Sequence, residues 1–260
     1  MNRVLITTAG RPDEVTEARA HAAHQALGYS IIPRSKRSVN KIMATYSSDL
    51  LVAGKERYEL FRQEMSEPFF FHPDTAAFRL KRLMKGESDP LIDACQLEPG
   101  SSFLDCTLGL ATDSIVASFA AGLSGEVLGI EADPDVAFIT AAGLSQFEPK
   151  FTELRDAMRR ISVIQDSACS FLSGLPDQSW DVVYLDPMFS RTISESTSFA
   201  PLRQAGVHGS LTEEWVAEAK RVAKKRVVVK AHFSDPVFEE FNFTQLIRPN
   251  TKFHFGFIEK

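Results

Sequence analysis

The chain has 260 residues, 44% of them hydrophobic and 24% charged, with a net charge of −5 and a pI near 5.7. That balance is the composition of a globular chain with a sizeable buried core, and it excludes a disordered, fibrous or uniformly polycationic protein. No apolar run reaches the roughly 20 residues of a membrane-spanning helix, the N-terminus lacks a secretory leader pattern, and Cys95, Cys106 and Cys169 are too few for a disulfide framework, so a cytoplasmic location is expected.

Residues 4–8 read as a strand closed by Gly10-Arg11-Pro12. Residues 13–27 read as a helix in which Val15, Ala18, Ala22 and Ala26 recur at helical spacing and Gly28 forms the stop. His21 and His24 share a face of that helix without a third ligand, so no metal site is expected. Strands are expected over 29–33 and 48–53, followed by a charged stretch over 55–67. Together these define a small α+β module over residues 1–70, distinct from a larger domain over 71–260. Pro68-Phe69-Phe70-Phe71-His72-Pro73 connects the two. An amphipathic helix over 75–84 and a short one over 91–95 follow.

Charge divides along the same line. Residues 1–90 carry 14 Lys and Arg against 11 Asp and Glu, a net of +3, whereas the remainder carries 15 against 23, a net of −8. A basic front section on an acidic body suits a phosphate-facing arm. The candidates are the cluster Arg34, Lys36, Arg37, Lys41 and the helical set Arg79, Lys81, Arg82, Lys85.

From Ser101 onward strands and helices alternate. Strands are expected over 102–105, 126–131, 161–164, 181–186 and 226–230, with helices over 113–123, 134–147, 167–172 and 211–223, and a closing hairpin of 243–247 with 252–258. This alternation predicts an α/β fold with a mostly parallel sheet covered on both faces. Ligands then bind beyond the carboxyl ends of the strands. Each strand end delivers a polar residue or a Gly: Asp105 with Thr107 and Gly109, Glu131, Asp166 with Ser167, and Asp186 followed by Pro187 and Phe189. Glu131 stands where a carboxylate accepts hydrogen bonds from ribose hydroxyls. The segment Asp186-Pro187-Met188-Phe189 suits the holding of a flat, nitrogen-bearing ring. Phe189 would stack on the ring, and Asp186 would accept an exocyclic N–H and turn the nitrogen lone pair out of conjugation. Lys230 also stands at a strand end, where it would face the site, with a solvent-facing charge as an almost equal reading.

Three stretches carry a family resemblance: residues 103–114, Val182-Val183-Tyr184-Leu185-Asp186-Pro187-Met188-Phe189, and Lys225-Arg226-Val227-Val228-Val229-Lys230, with Phe253-His254-Phe255 as a weaker fourth. Through them residues 68–258 resemble class I S-adenosylmethionine-dependent methyltransferases, and among these the RsmJ family of small-subunit rRNA guanine-N2 methyltransferases. The resemblance implies a Rossmann-like sheet, S-adenosyl-L-methionine as cofactor with S-adenosyl-L-homocysteine as product, and ribosomal RNA or the small ribosomal subunit as partner. It implies that Thr112 and Asp113 touch the cofactor at the first loop, Glu131 and Ala132 on its ribose side, and Ser167 and Ala168 on its adenine side. Asp186 would lie between cofactor and target amine. The loop departs from the family pattern Ala-Gly-Leu-Gly-Arg-Asp, reading Leu108-Gly109-Leu110-Ala111-Thr112-Asp113, and Ser190-Arg191-Thr192 replace the usual Pro and basic residues after Phe189. Residues 190–209 are therefore expected to recognise a different substrate. The alternatives are a nicotinamide oxidoreductase, against which the missing G-x-G-x-x-G speaks, a non-catalytic cofactor-binding protein, and a methyltransferase acting on DNA, protein or a small amine.

Overall fold

Hydrophobic alternation builds two sheets in the computed structural model, which describes residues 3–187 and 211–260. In chain order the elements are β1 (Val4–Thr8), α1 (Glu14–Leu27), α2 (Val39–Tyr46), β2 (Asp49–Ala53), β3 (Tyr58–Phe61), α3 (Asp74–Leu83), α4 (Pro90–Cys95), β4 (Ser102–Asp105), α5 (Thr112–Ala121), β5 (Glu126–Glu131), α6 (Pro134–Gln146), α7 (Thr152–Arg159), β6 (Ile161–Gln165), α8 (Ala168–Ser173), β7 (Trp180–Leu185), α9 (Glu213–Val222), β8 (Ala223–His232), α10 (Val237–Glu240), β9 (Thr244–Leu246) and β10 (Phe253–Glu259).

The first sheet is three-stranded, β1-β2-β3. Residues 29–33, expected as a strand, contribute only an isolated bridge between Ile31 and Ile6. The charged stretch after β2 conceals β3, and the basic cluster leads into α2; neither element was expected. In α1 the stripe of Val15, Ala18, Ala22 and Ala26 does not make the core face. Thr16, Ala20 and Ala23 are buried and Val15 is 53% exposed. An Ala-rich helix is weakly apolar all round, so periodicity alone does not select its inner face.

The second sheet has seven strands in the order β6-β5-β4-β7-β8-β10-β9. Strands β4 to β8 run parallel, and β10 pairs antiparallel with both β8 and β9. The expected hairpin therefore closes the sheet. Val182, Val183, Tyr184 and Leu185 of β7 are all buried, as expected for a strand covered on both faces. Asp105 pairs in register with Gly129 and with Tyr184, which brings the carboxyl ends of β4, β5 and β7 level. One apolar cluster runs without a break from Val4, Ile6 and Leu60 through Phe69 and Phe71 to Phe103, Val127 and Tyr184. The first sheet thus shares a core with the second. Phe71 makes part of the join, because a Cβ at Gly143 of α6 would lie 2.1 Å from the Phe71 ring. Among the described residues, no helix is long and apolar enough to cross a membrane.

Candidate active site at the carboxyl ends of the parallel strands

Strand order reverses between β4 and β7, which opens a crevice beyond their carboxyl ends. The loop from Cys106 to Ala111 forms one wall. It lies across the end of β5, with Leu108 N donating to Ile130 O at 3.0 Å and Gly109 N to Glu131 Oε2 at 3.0 Å. The fit requires Gly129, since a Cβ there would lie 2.3 Å from Leu108 Cδ1. Gly109 (φ 50°) and Ala111 (φ 59°) take left-handed conformations. At Ala111, where the family pattern has Gly, this costs about 1–2 kcal/mol.

Asp105 lies beneath the loop, 2% exposed. It accepts from Ser114 Oγ at 2.6 Å and from Thr107 N at 2.9 Å. Burial pushes its carboxyl up to about 7 against the hydrogen bonds from Ser114 and Thr107. Thr107 Oγ1 in turn accepts from Asp186 N at 2.8 Å, tying the first loop to the end of β7. Glu131 receives Gly109 N on one oxygen and Asp133 N, at 2.9 Å, on the other. Burial pushes its carboxyl upward too, opposed by those N–H groups. Asp166 N donates to Glu131 O, and the Asp166 side chain receives Ser167 N. Ser167 caps α8. Ala168 is buried, while Thr112 and Ala132 are half-buried on the same rim. The structure thus gathers Asp105, Thr107, Gly109, Glu131, Asp166 and Asp186 along one rim. Pro187 is buried beside Asp186, and Phe189 and residues 190–209 lie outside the described residues.

Asp113 faces inward. Its carboxylate receives Arg79 Nη1, Tyr184 OH at 2.8 Å and Lys230 Nζ at 2.9 Å. Burial alone would raise its pKa, but the Lys230 and Arg79 charges override this and hold it well below the carboxylate range. Lys230 Nζ also donates to Asp186 Oδ2 at 2.7 Å. Lys230 is therefore not a solvent-facing strand end. Arg79 does not make the expected phosphate contact either. Only 17% exposed, it spans Asp89 and Asp113, because a guanidinium on the inner face of α3 meets two buried carboxylates. Lys81, Arg82 and Lys85 remain on the outer face, with Arg82 paired to Glu87. Tyr184, Ser114 and Arg62 are site partners that the sequence reading missed. Tyr184 carried a signal, since it stands two residues before Asp186 and so shares its strand face. Arg62, just beyond β3, reaches Asp133 Oδ2 at 2.7 Å and Asp135 Oδ2 at 3.0 Å.

A doubly wound parallel sheet closed by an antiparallel hairpin, with an acceptor-rich rim at its switch point, defines the Rossmann-like methyltransferase class. The donor set fits S-adenosyl-L-methionine: a close-lying glycine loop admits the ligand, and carboxylates suit its hydroxyl, ammonium and sulfonium groups. The family model of SAM-dependent methyltransferases matches residues 40–253, and the chain belongs to that family. It is 43% identical over 255 residues to the uncharacterized protein YpiP of Bacillus subtilis (strain 168), covering 98% of this chain and 99% of that one. It is 28% identical over 167 residues to ribosomal RNA small subunit methyltransferase J of Halorhodospira halophila (strain DSM 244 / SL1), covering 60% of this chain and 61% of that one. In fold it is similar to the SAM-dependent methyltransferase NGO1261 of Neisseria gonorrhoeae, with a TM-score of 0.58 at 19% identity, covering 98% of this chain and 95% of that one.

Proposed function

We propose that this methyltransferase acts on the exocyclic N2 amine of a guanine in small-subunit ribosomal RNA. The observation that carries the reading is the Asp186-Pro187 corner at the end of β7, bound to the first loop through Thr107 and presenting a carboxylate beside the crevice. Likeness to a ribosomal RNA small subunit methyltransferase over 167 residues supports the choice of substrate.

S-adenosyl-L-methionine, when bound, supplies an electrophilic methyl carbon and leaves as the neutral thioether S-adenosyl-L-homocysteine. In this reading Thr107, Gly109, Thr112 and Asp105 hold its methionine end, Glu131 and Ala132 its ribose, and Asp166, Ser167 and Ala168 its adenine. Asp186 accepts an N–H of the target amine and aims the nitrogen lone pair across the crevice. The new N–C bond leaves a surplus proton on nitrogen, which Asp186 or water removes. Alignment is the main catalytic contribution, with Pro187 limiting movement of the corner and Phe189 stacking on the base. Because paired bases hide their edges, the target guanine stands in a loop or is flipped out.

The test is transfer of labelled methyl groups by the purified protein to RNA from cells lacking the gene, followed by mapping of the modified base. Label on a guanine of small-subunit rRNA is expected, and Asp186→Ala should abolish it while leaving the melting temperature near that of the wild type. Label confined to DNA, protein or a small amine, or full activity in Asp186→Ala, would refute the reading.

A further inference from the structure

The end of β8 holds a cation to which the chemistry above gives no part. Parallel register pairs Tyr184 with Val228 and Leu185 with Val229, so the next positions along, Asp186 just past β7 and Lys230 still within β8, stand level. Lys230 Nζ bridges Asp186 Oδ2 at 2.7 Å and Asp113 Oδ2 at 2.9 Å. Asp113 is itself held by Arg79 and Tyr184, and Arg79 by Asp89.

We propose that Lys230 is a positioning residue for methyl transfer: it fixes the orientation and the negative charge of the Asp186 carboxylate, with Asp113 as its own anchor. The inference rests on the reading of Asp186 as the acceptor of the target amine. The main chain of Asp186 is fixed by Thr107, but its side chain still has two rotatable bonds, and the ion pair restrains both. Among the described residues, the charges around it favour a cation at this position. Asp105 faces the cluster from β4, Asp113 from α5 and the Tyr184 phenol from β7, while β10 sets the uncharged Phe255 opposite Lys230. Arg79 reaches the cluster from α3 only through Asp113. Among the described residues, loss of Lys230 would leave Asp105, Asp113 and Asp186, with Asp89 beside them, facing the Arg79 guanidinium, and like-charge repulsion would favour a protonated Asp186. A protonated carboxyl no longer offers both oxygens as acceptors.

The experiment compares Lys230→Met, Lys230→Gln and Lys230→Arg with Asp186→Asn and with the Lys230→Met, Asp186→Asn double variant. Lys230→Gln retains a donor for Asp113, so the outcome does not rest on one variant folding. Both neutral variants should lower kcat by about 100-fold, the effect of a small misplacement of a reacting group, with KM for S-adenosyl-L-methionine nearly unchanged. The acid limb of their kcat profile should move up in pH by about 1–3. Lys230→Arg should restore that limb. The double variant should lose no more than Asp186→Asn alone, because the lysine acts through the carboxylate. Wild-type turnover in the neutral variants, an unmoved acid limb, or losses that multiply in the double variant would overturn the proposal. Carboxylate titration by NMR of 13C-aspartate-labelled protein reads the same pair without turnover. The resonance missing from Asp186→Asn should titrate at higher pH in Lys230→Met, and an unmoved resonance overturns the proposal even if the RNA reading fails separately.

Discussion

Replacing Arg79 with Met keeps the aliphatic stem and removes the guanidinium that ties α3 to two buried carboxylates. Arg79 donates to Asp89 through Nε at 2.8 Å and Nη2 at 2.7 Å, and to Asp113 through Nη1. The side chains of Arg79, Asp89 and Asp113 are 17%, 7% and 10% exposed. Removing one partner of a buried ion pair costs about 3–5 kcal/mol, because it leaves an uncompensated charge. Asp113 retains Lys230 and Tyr184, so the expected loss is at the low end, about 3 kcal/mol. At about 2–4 °C per kcal/mol for a large domain, the melting temperature should fall by about 6–12 °C. Substituting the exposed Lys81 or Lys85 should change stability by less than about 0.5 kcal/mol. The loss depends on pH in a definite direction. Asp113 is held below its ordinary range, so its contribution is present above the unfolded value near 3.9 and is lost as the pH falls. The gap between wild type and Arg79→Met should therefore be widest near neutrality and narrow below about pH 4. Thermal melts of both proteins across this range provide the assay. An Arg79→Met protein as stable as wild type at neutral pH, or weakened only in RNA affinity, would refute the assignment of Arg79 to the interior.

Arg62 bears on the cofactor side. Its pair with Asp133 restrains the residue whose N–H holds Glu131, so Arg62→Met should raise KM for S-adenosyl-L-methionine several-fold with kcat little changed, as steady-state kinetics would show. Asp105 supplies a pH dependence. Its folded value of about 7 lies above the unfolded value near 3.9, so its share of stability is lost as the pH rises from about 4 to about 7. A cationic ligand favours the ionised form, so affinity for S-adenosyl-L-methionine should tighten as the pH rises through 7, with proton release in calorimetry below it and neither effect in Asp105→Asn. Phe71→Ala removes the ring packed on Gly143 and should cost about 3–5 kcal/mol in denaturant unfolding.

The alternation of strands and helices after Ser101 is a local property, carried by apolar runs of strand length between turn residues, and nearly all of its elements stand where periodicity put them. The rim was legible for the same reason: a parallel sheet sends every strand end to one side, so residues following a strand can be placed without tertiary knowledge. The overlooked α2, β3, α7 and α10 are short, and α2 and β3 are flanked by charges that mask their apolar positions. Composition could not choose the inner face of α1 either, because alanine packs or faces water at nearly equal cost.

Sequence alone therefore determined the layered α/β architecture and the order in which carboxylates reach the rim. It could not determine which charges neutralise them. Arg79 stands 34 residues from Asp113, Tyr184 stands 71 from it and Lys230 stands 117 from it. A basic residue on an amphipathic helix or at a strand end reads the same whether it meets solvent or a buried carboxylate. Only the packing of α3 onto α5, and of α5 onto the neighbouring strands, removed water from these groups, and with it the alternative to pairing with one another.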